Sequence, residues 1–107
     1  MKYNRIEVFA RRTLVVFRAY DNEGAYDEIT QFPGPILRDL PGKYFTHTCM
    51  DAGSFLHMSR VDDNTVTLFF TWVYGNYAYT QMEKIAFDEL KSVCDEAINQ
   101  LSDDDNW

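Results

Sequence analysis

The sequence predicts an α+β fold: an antiparallel β-sheet of about four to five strands with one long C-terminal α-helix packed on one face. Three observations predict it. Apolar residues alternate with hydroxyl residues from Thr65 to Tyr74. An apolar stripe at helical spacing runs from residue 81 to 101. Ahead of both, short runs of β-branched and aromatic residues are divided by turn clusters. The chain of 107 residues is most simply one domain, 1–107, with a short acidic tail at 102–107.

Residues 3–20 read as β, with Leu14, Val16 and Tyr20 on one parity and Thr13, Val15, Phe17 and Ala19 on the other. Arg11-Arg12 marks a turn or bulge between two strands. A helix through Ile6, Phe9, Ala10 and Phe17 also fits, because the run satisfies both periods. Residues 21–43 read as connection. Asp21-Asn22-Glu23-Gly24 is a turn cluster, and Phe32-Pro33-Gly34-Pro35 is read as non-helical, because proline lacks an N–H and restricts the residue before it. Ile36 to Leu40 has room for one helical turn, stopped by Pro41-Gly42.

Residues 43–50 and 54–61 are two further strands, broken at Asp51-Ala52-Gly53. After Asp62-Asp63-Asn64 comes the clearest strand, with Val66, Leu68, Phe70, Trp72 and Tyr74 on one face and Thr65, Thr67, Phe69, Thr71 and Val73 on the other. Gly75-Asn76 is the next turn. Thr80-Gln81-Met82-Glu83 has the form of a capping box, so the helix is predicted from Gln81 to Leu101. Its apolar face holds Met82, Ala86, Phe87, Leu90, Val93, Cys94, Ala97, Ile98 and Leu101. The predicted core is Leu14, Val16, Val66, Leu68, Phe70, Trp72, Phe87, Leu90, Val93 and Leu101.

Composition narrows the function classes. A 46% hydrophobic, 16% aromatic chain is not disordered. No apolar run approaches the ~20 residues of a membrane span, and the charged start, Lys2, Arg5 and Glu7, is unlike a signal peptide. Two cysteines, Cys49 and Cys94, make no disulfide framework, so free thiols and a cytoplasmic location are expected. Net charge is −7 and uneven: residues 1–20 carry five basic side chains against Glu7, and the rest carry five basic against sixteen acidic. Such a body repels phosphate backbones, so general nucleic-acid binding is not expected and a basic protein partner is.

His47, Cys49, Asp51 and His57 are the residues from which a metal site or a cysteine nucleophile would have to be built. Their spacing matches no zinc pattern, and a half-buried strand histidine with an inert thiol is the plainer reading. No phosphate loop, nucleophile elbow, zinc-protease or calcium-loop motif occurs. No catalytic residue, metal or cofactor is therefore expected. Tyr77 and Tyr79 are candidate interface anchors; no Lys or Arg lies between Val61 and Glu83 to make that segment a nucleic-acid platform. On the predicted helix, Asp88, Glu89, Asp95 and Glu96 fall opposite the apolar stripe with Ile85 among them, and Asp103, Asp104 and Asp105 extend the acidic run.

These observations predict a small acidic antagonist, monomer or homodimer, that blocks a basic nucleic-acid-binding complex or nuclease. Immunity-type proteins and virus-encoded anti-defence or anti-CRISPR inhibitors are classes of that size and charge. The alternatives are a small enzyme or metal- or ligand-binding protein using His47, Cys49, Asp51 and His57, and a structural module with Phe69 and Val73 as a dimer patch.

Overall fold

The N-terminal β-rich run turns back on itself at Arg12-Thr13. The computed structural model describes residues 3–40, 44–49 and 53–104, with the side chains of 44–49, 54, 74 and 101–104 outside that description. In it β1 (Tyr3–Arg11) and β2 (Leu14–Asp21) form an antiparallel hairpin closed by the Arg11–Leu14 pair. Arg12 takes φ 57°, a left-handed conformation that side chains with a Cβ rarely adopt. At the next turn the Asp21 carboxylate accepts from the N–H groups of Glu23 (2.8 Å) and Ala25 (3.0 Å). The chain then returns as β3 (Tyr26–Gln31), giving the sheet order β1-β2-β3.

Residues 21–43 are thus more than connection. Beyond β3, a helix α1 (Pro33–Asp39) begins at the very prolines expected to forbid it. Both stand in its first turn, where backbone N–H groups have no intrahelical partner and the fixed proline φ suits a helix. Its Ile36, and Leu40 at its C-cap, are buried in the core.

A second sheet follows: β4 (Tyr44–Cys49), β5 (Ser54–Arg60), β6 (Thr65–Tyr74) and β7 (Tyr77–Ala86), antiparallel in that order. Gly53, before β5, has φ +67°, and a Cβ there would stand 3.1 Å from the Val73 carbonyl, whose residue's N–H donates to the Gly53 carbonyl. Only glycine suits that approach.

The described residues therefore form seven strands in two sheets, rather than four or five strands in one, and two helices rather than one. The expected capping box is not formed. Residues 77–86 pair with β6 through Thr71–Thr80, Phe69–Met82 and Val66–Ile85, and the Thr80 hydroxyl meets the Thr71 hydroxyl at 2.9 Å. β6 otherwise has an unpaired edge, and a ten-residue ladder satisfies its backbone more completely than a local cap satisfies a helix end. The final helix, α2 (Phe87–Asp104), starts six residues later than predicted, where the Phe87 N–H donates to the Asn64 carbonyl at 2.7 Å. Met82 moves from the expected apolar helix face to an exposed strand position.

The two sheets share one apolar core. β1 runs beside β7, and α2 packs against β1, β2 and β7. Val15, Phe17 and Ala19 of β2 meet Leu56 and Met58 of β5, Val66, Leu68 and Phe70 of β6, and Leu90, Cys94 and Ala97 of α2 in this cluster. Of the predicted core, Val16, Val66, Leu68, Phe70 and Leu90 are buried. Trp72, Phe87 and Val93 pack against it half-buried, Leu14 is half-exposed, and the Leu101 side chain lies outside the described residues. Val16 belongs to the opposite face of its sheet, in register with Phe9 and Thr30.

Leu90→Ala removes a side chain that is 1% exposed and should cost ~2–5 kcal/mol in urea melts. Arg12→Gly should stabilise the protein by about 0.5–1 kcal/mol, because glycine takes the left-handed turn without steric cost; differential melting of the two proteins measures it.

Candidate functional site

The helix surface is set by which side α2 buries. Leu90, Cys94 and Ala97 face the core, so Asp88, Glu89, Asp95 and Glu96 are turned to solvent, all four exposed. Asp88 and Glu89 also sit in the first turn, where the helix dipole favours carboxylates. Lys91 is the only cation of α2 and reaches Asp95 at 3.2 Å. Such an exposed i,i+4 pair contributes about 0.3–0.5 kcal/mol and leaves the surface anionic. The backbone of Asp103 and Asp104 continues α2, their side chains lie outside the described residues, and Asp105 lies wholly outside them.

Ile85 is not part of this surface. It belongs to β7 and packs half-buried against the core, which removes the expected apolar anchor among the acids. Tyr77 opens β7 at 69% exposure, whereas Tyr79 is half-buried against the core. Cys94 is buried, and burial, with a smaller effect from the Asp95 charge, pushes its thiol up to about 11. It is therefore a protonated, unreactive core residue. On β4, His47 pairs in register with Leu56, while His57 pairs with Thr46 and Phe69, so the two histidines are not register partners. The side chains of His47 and Cys49, and Asp51 as a whole, lie outside the described residues. Among the described residues no three His, Cys, Asp or Glu side chains gather as a metal site, and no helix is long and apolar enough to cross a membrane.

The outer faces of the two sheets carry features beyond the Phe69 and Val73 patch read from the sequence. On the three-stranded sheet the basic N-terminal segment is bound into a lattice with Glu7 of β1, Tyr20 of β2, and Tyr26 and Glu28 of β3. Arg18 donates to Glu28 at 2.9 Å and to the Tyr20 hydroxyl at 3.2 Å, and its guanidinium lies 3.9 Å over the Tyr26 ring. Arg11 donates to the other Glu28 oxygen at 2.6 Å, the Tyr20 hydroxyl donates to Glu7 at 2.9 Å, and Arg5 lies 3.8 Å over Tyr20. Arg5, Arg11 and Arg18 are thus engaged inside the sheet face rather than forming a free basic arm. The period-two spacing of Arg5 and Glu7, Arg18 and Tyr20, and Tyr26 and Glu28 was legible; which strands would pair was not.

On the four-stranded sheet, Phe55, His57 and Ser59 of β5, Phe69 and Thr71 of β6 and Thr80 of β7 line a shallow, open concavity of about 480 Å³. The His57 ring stacks parallel to Phe55 at 6.3 Å between centroids and tilts against Phe69 at 5.9 Å. Val73 and Met82 share this side of their strands and are 48% and 53% exposed.

The chain matches no family model, no curated protein and no solved structure. Its chemistry is therefore read from its own surfaces.

The Arg11 hydrogen bond, then that of Arg18, holds the Glu28 carboxyl below its ordinary value. A depressed carboxyl pKa stabilises the fold above the unfolded-state value, and that stabilisation is lost as pH falls through the folded-state value. Glu28→Gln should cost about 1 kcal/mol at neutral pH after solvent screening. It should also flatten the acid limb of stability against pH. Urea melts across the acid range check both effects.

Proposed function

We propose that this protein is a non-catalytic antagonist that binds a basic macromolecule, of the nucleic-acid-binding or nuclease class, through the acid-lined outer face of α2. The observation that carries the reading is the disposition of Asp88, Glu89, Asp95 and Glu96: four exposed carboxylates on one rigid helix, with Lys91 the only cation on it. Carboxylates spaced along a helix present a repeating negative charge to a site built for phosphates. The burial of Leu90, Cys94 and Ala97 fixes that helix to both sheets, so the charges are held in place before binding. Such pre-organisation lowers the cost of association.

Ile85 and Tyr79, both expected as contacts, pack against the core instead. With Ile85 packed in β7, the acidic face has no apolar anchor among its charges. Binding through it is therefore governed by electrostatic attraction, which raises association rate more than it slows escape. Tyr77, exposed at the start of β7, remains as an aromatic contact candidate.

The test is capture of basic nucleases and defence complexes from a defined panel, followed by binding kinetics at several ionic strengths. Reversing Glu89 and Glu96 to Lys should lower the association rate by about tenfold or more and weaken its salt dependence, with little change in dissociation rate. Melting temperature should fall by only a few degrees, because both residues are exposed and Glu89 alone gives up a favourable place at the helix N-terminus. Unchanged rate and salt slope would show that the partner binds elsewhere.

A further inference from the structure

We infer that the outer face of the β4–β7 sheet is a self-association surface, on which a second copy of this chain packs sheet to sheet. A chain of net charge −7 repels its own copies, so copies meet where carboxylates are absent. The described residues on this side of β5, β6 and β7, identified by the register, are Phe55, His57 and Ser59, then Thr65, Thr67, Phe69, Thr71 and Val73, then Ala78, Thr80, Met82, Lys84 and Ala86. None is acidic, and Lys84 is the only Lys or Arg.

The face also has the layout of a protein interface. At the centre His57 stacks on Phe55 and tilts against Phe69, and the hydroxyls of Ser59, Thr71 and Thr80 border it. An aromatic centre within a polar rim is where interface energy concentrates. The outer face of the three-stranded sheet differs, because its Arg18–Glu28–Tyr20 lattice already satisfies its own polar groups.

The area suffices. The four strands, of 6, 7, 10 and 10 residues, at about 3.4 Å per residue and about 4.8 Å apart, present roughly 540 Å² on each copy, so two faces bury roughly 1,080 Å². That exceeds the roughly 1,000 Å² of a specific interface. Aligned sheet packing is an ordinary way for two such faces to meet. A single nucleic-acid strand is the poorer occupant, since one lysine does not make a groove that tracks phosphates. In the paired arrangement the acidic α2 faces are left free, so a dimer presents two copies of the surface proposed above, although neither inference depends on the other.

Sedimentation equilibrium of the full chain from low micromolar to a few hundred micromolar tests this. The expected result is a reversible dimer of twice 12.6 kDa. Val73→Glu and Met82→Glu change exposed positions, so they should leave the fold intact by circular dichroism while weakening the dimer by about tenfold or more. The Glu89→Lys/Glu96→Lys variant should dimerise at least as well as the natural sequence, which separates failure of this inference from failure of the α2 reading. A monomer at every concentration overturns the inference. So does a dimer that both glutamate variants leave intact, or a monomer whose Phe69 and His57 signals shift with added oligothymidylate.

Discussion

Neither sheet can bury its apolar face alone, and the rest of the structure follows from that constraint. Three strands and four strands are each small, and each has one face of large aliphatic and aromatic side chains. α2 resolves both at once by lying against β1, β2 and β7, so that Leu90, Cys94 and Ala97 enter a core built from both sheets. Tyr3 ties the same seam from the other direction. Its ring packs edge-on against Phe70 of β6 at 5.5 Å, and its hydroxyl donates to Asp27 of β3 at 2.6 Å. One residue thereby links the first and last strands of its own sheet to the centre of the other.

Because the inner faces are occupied by this shared core, the outer faces are where the two sheets differ. The three-stranded sheet closes its outer face with its own side chains. Its arginines stack on tyrosines and share Glu28, so a segment of positive charge becomes part of the scaffold. On the four-stranded sheet His57 stacks on Phe55 and tilts against Phe69 in an open concavity. The acidic surplus of the chain is in turn concentrated on α2, whose buried side is apolar and whose outer side is not. Surface chemistry is thus divided by element: a closed polar face, an open apolar face and an anionic helix.

The β7 segment shows how tertiary pairing overrides local signals. Thr80, Met82 and Glu83 read as the start of a helix, and the residues that follow are good helix formers. The same residues alternate with period two, and β6 offers ten pairing positions beside them. Backbone satisfaction along that edge outweighs the cap, and Ile85 is thereby drawn from a presumed helix surface into the margin of the core. The prolines of α1 are the converse case. Read as breakers, they are helix initiators, because their effect depends on whether they fall in the first turn or beyond it.

By itself the sequence determined the α+β class, the β6 strand with Val66, Leu68 and Phe70 inward, and a C-terminal amphipathic helix with Asp88, Glu89, Asp95 and Glu96 outward, while residues 3–20 satisfied both a strand and a helix period. Each of these is encoded by a period that a single element repeats along its own length. Only the tertiary structure decided that the strands divide into two sheets, that β7 replaces the first turns of the helix, that Arg18 and Glu28 meet, and that Phe55, His57 and Phe69 come together. Those features depend on which edges pair and in what register. Pairing is settled by the burial of the whole core, and no local pattern in the chain carries that information.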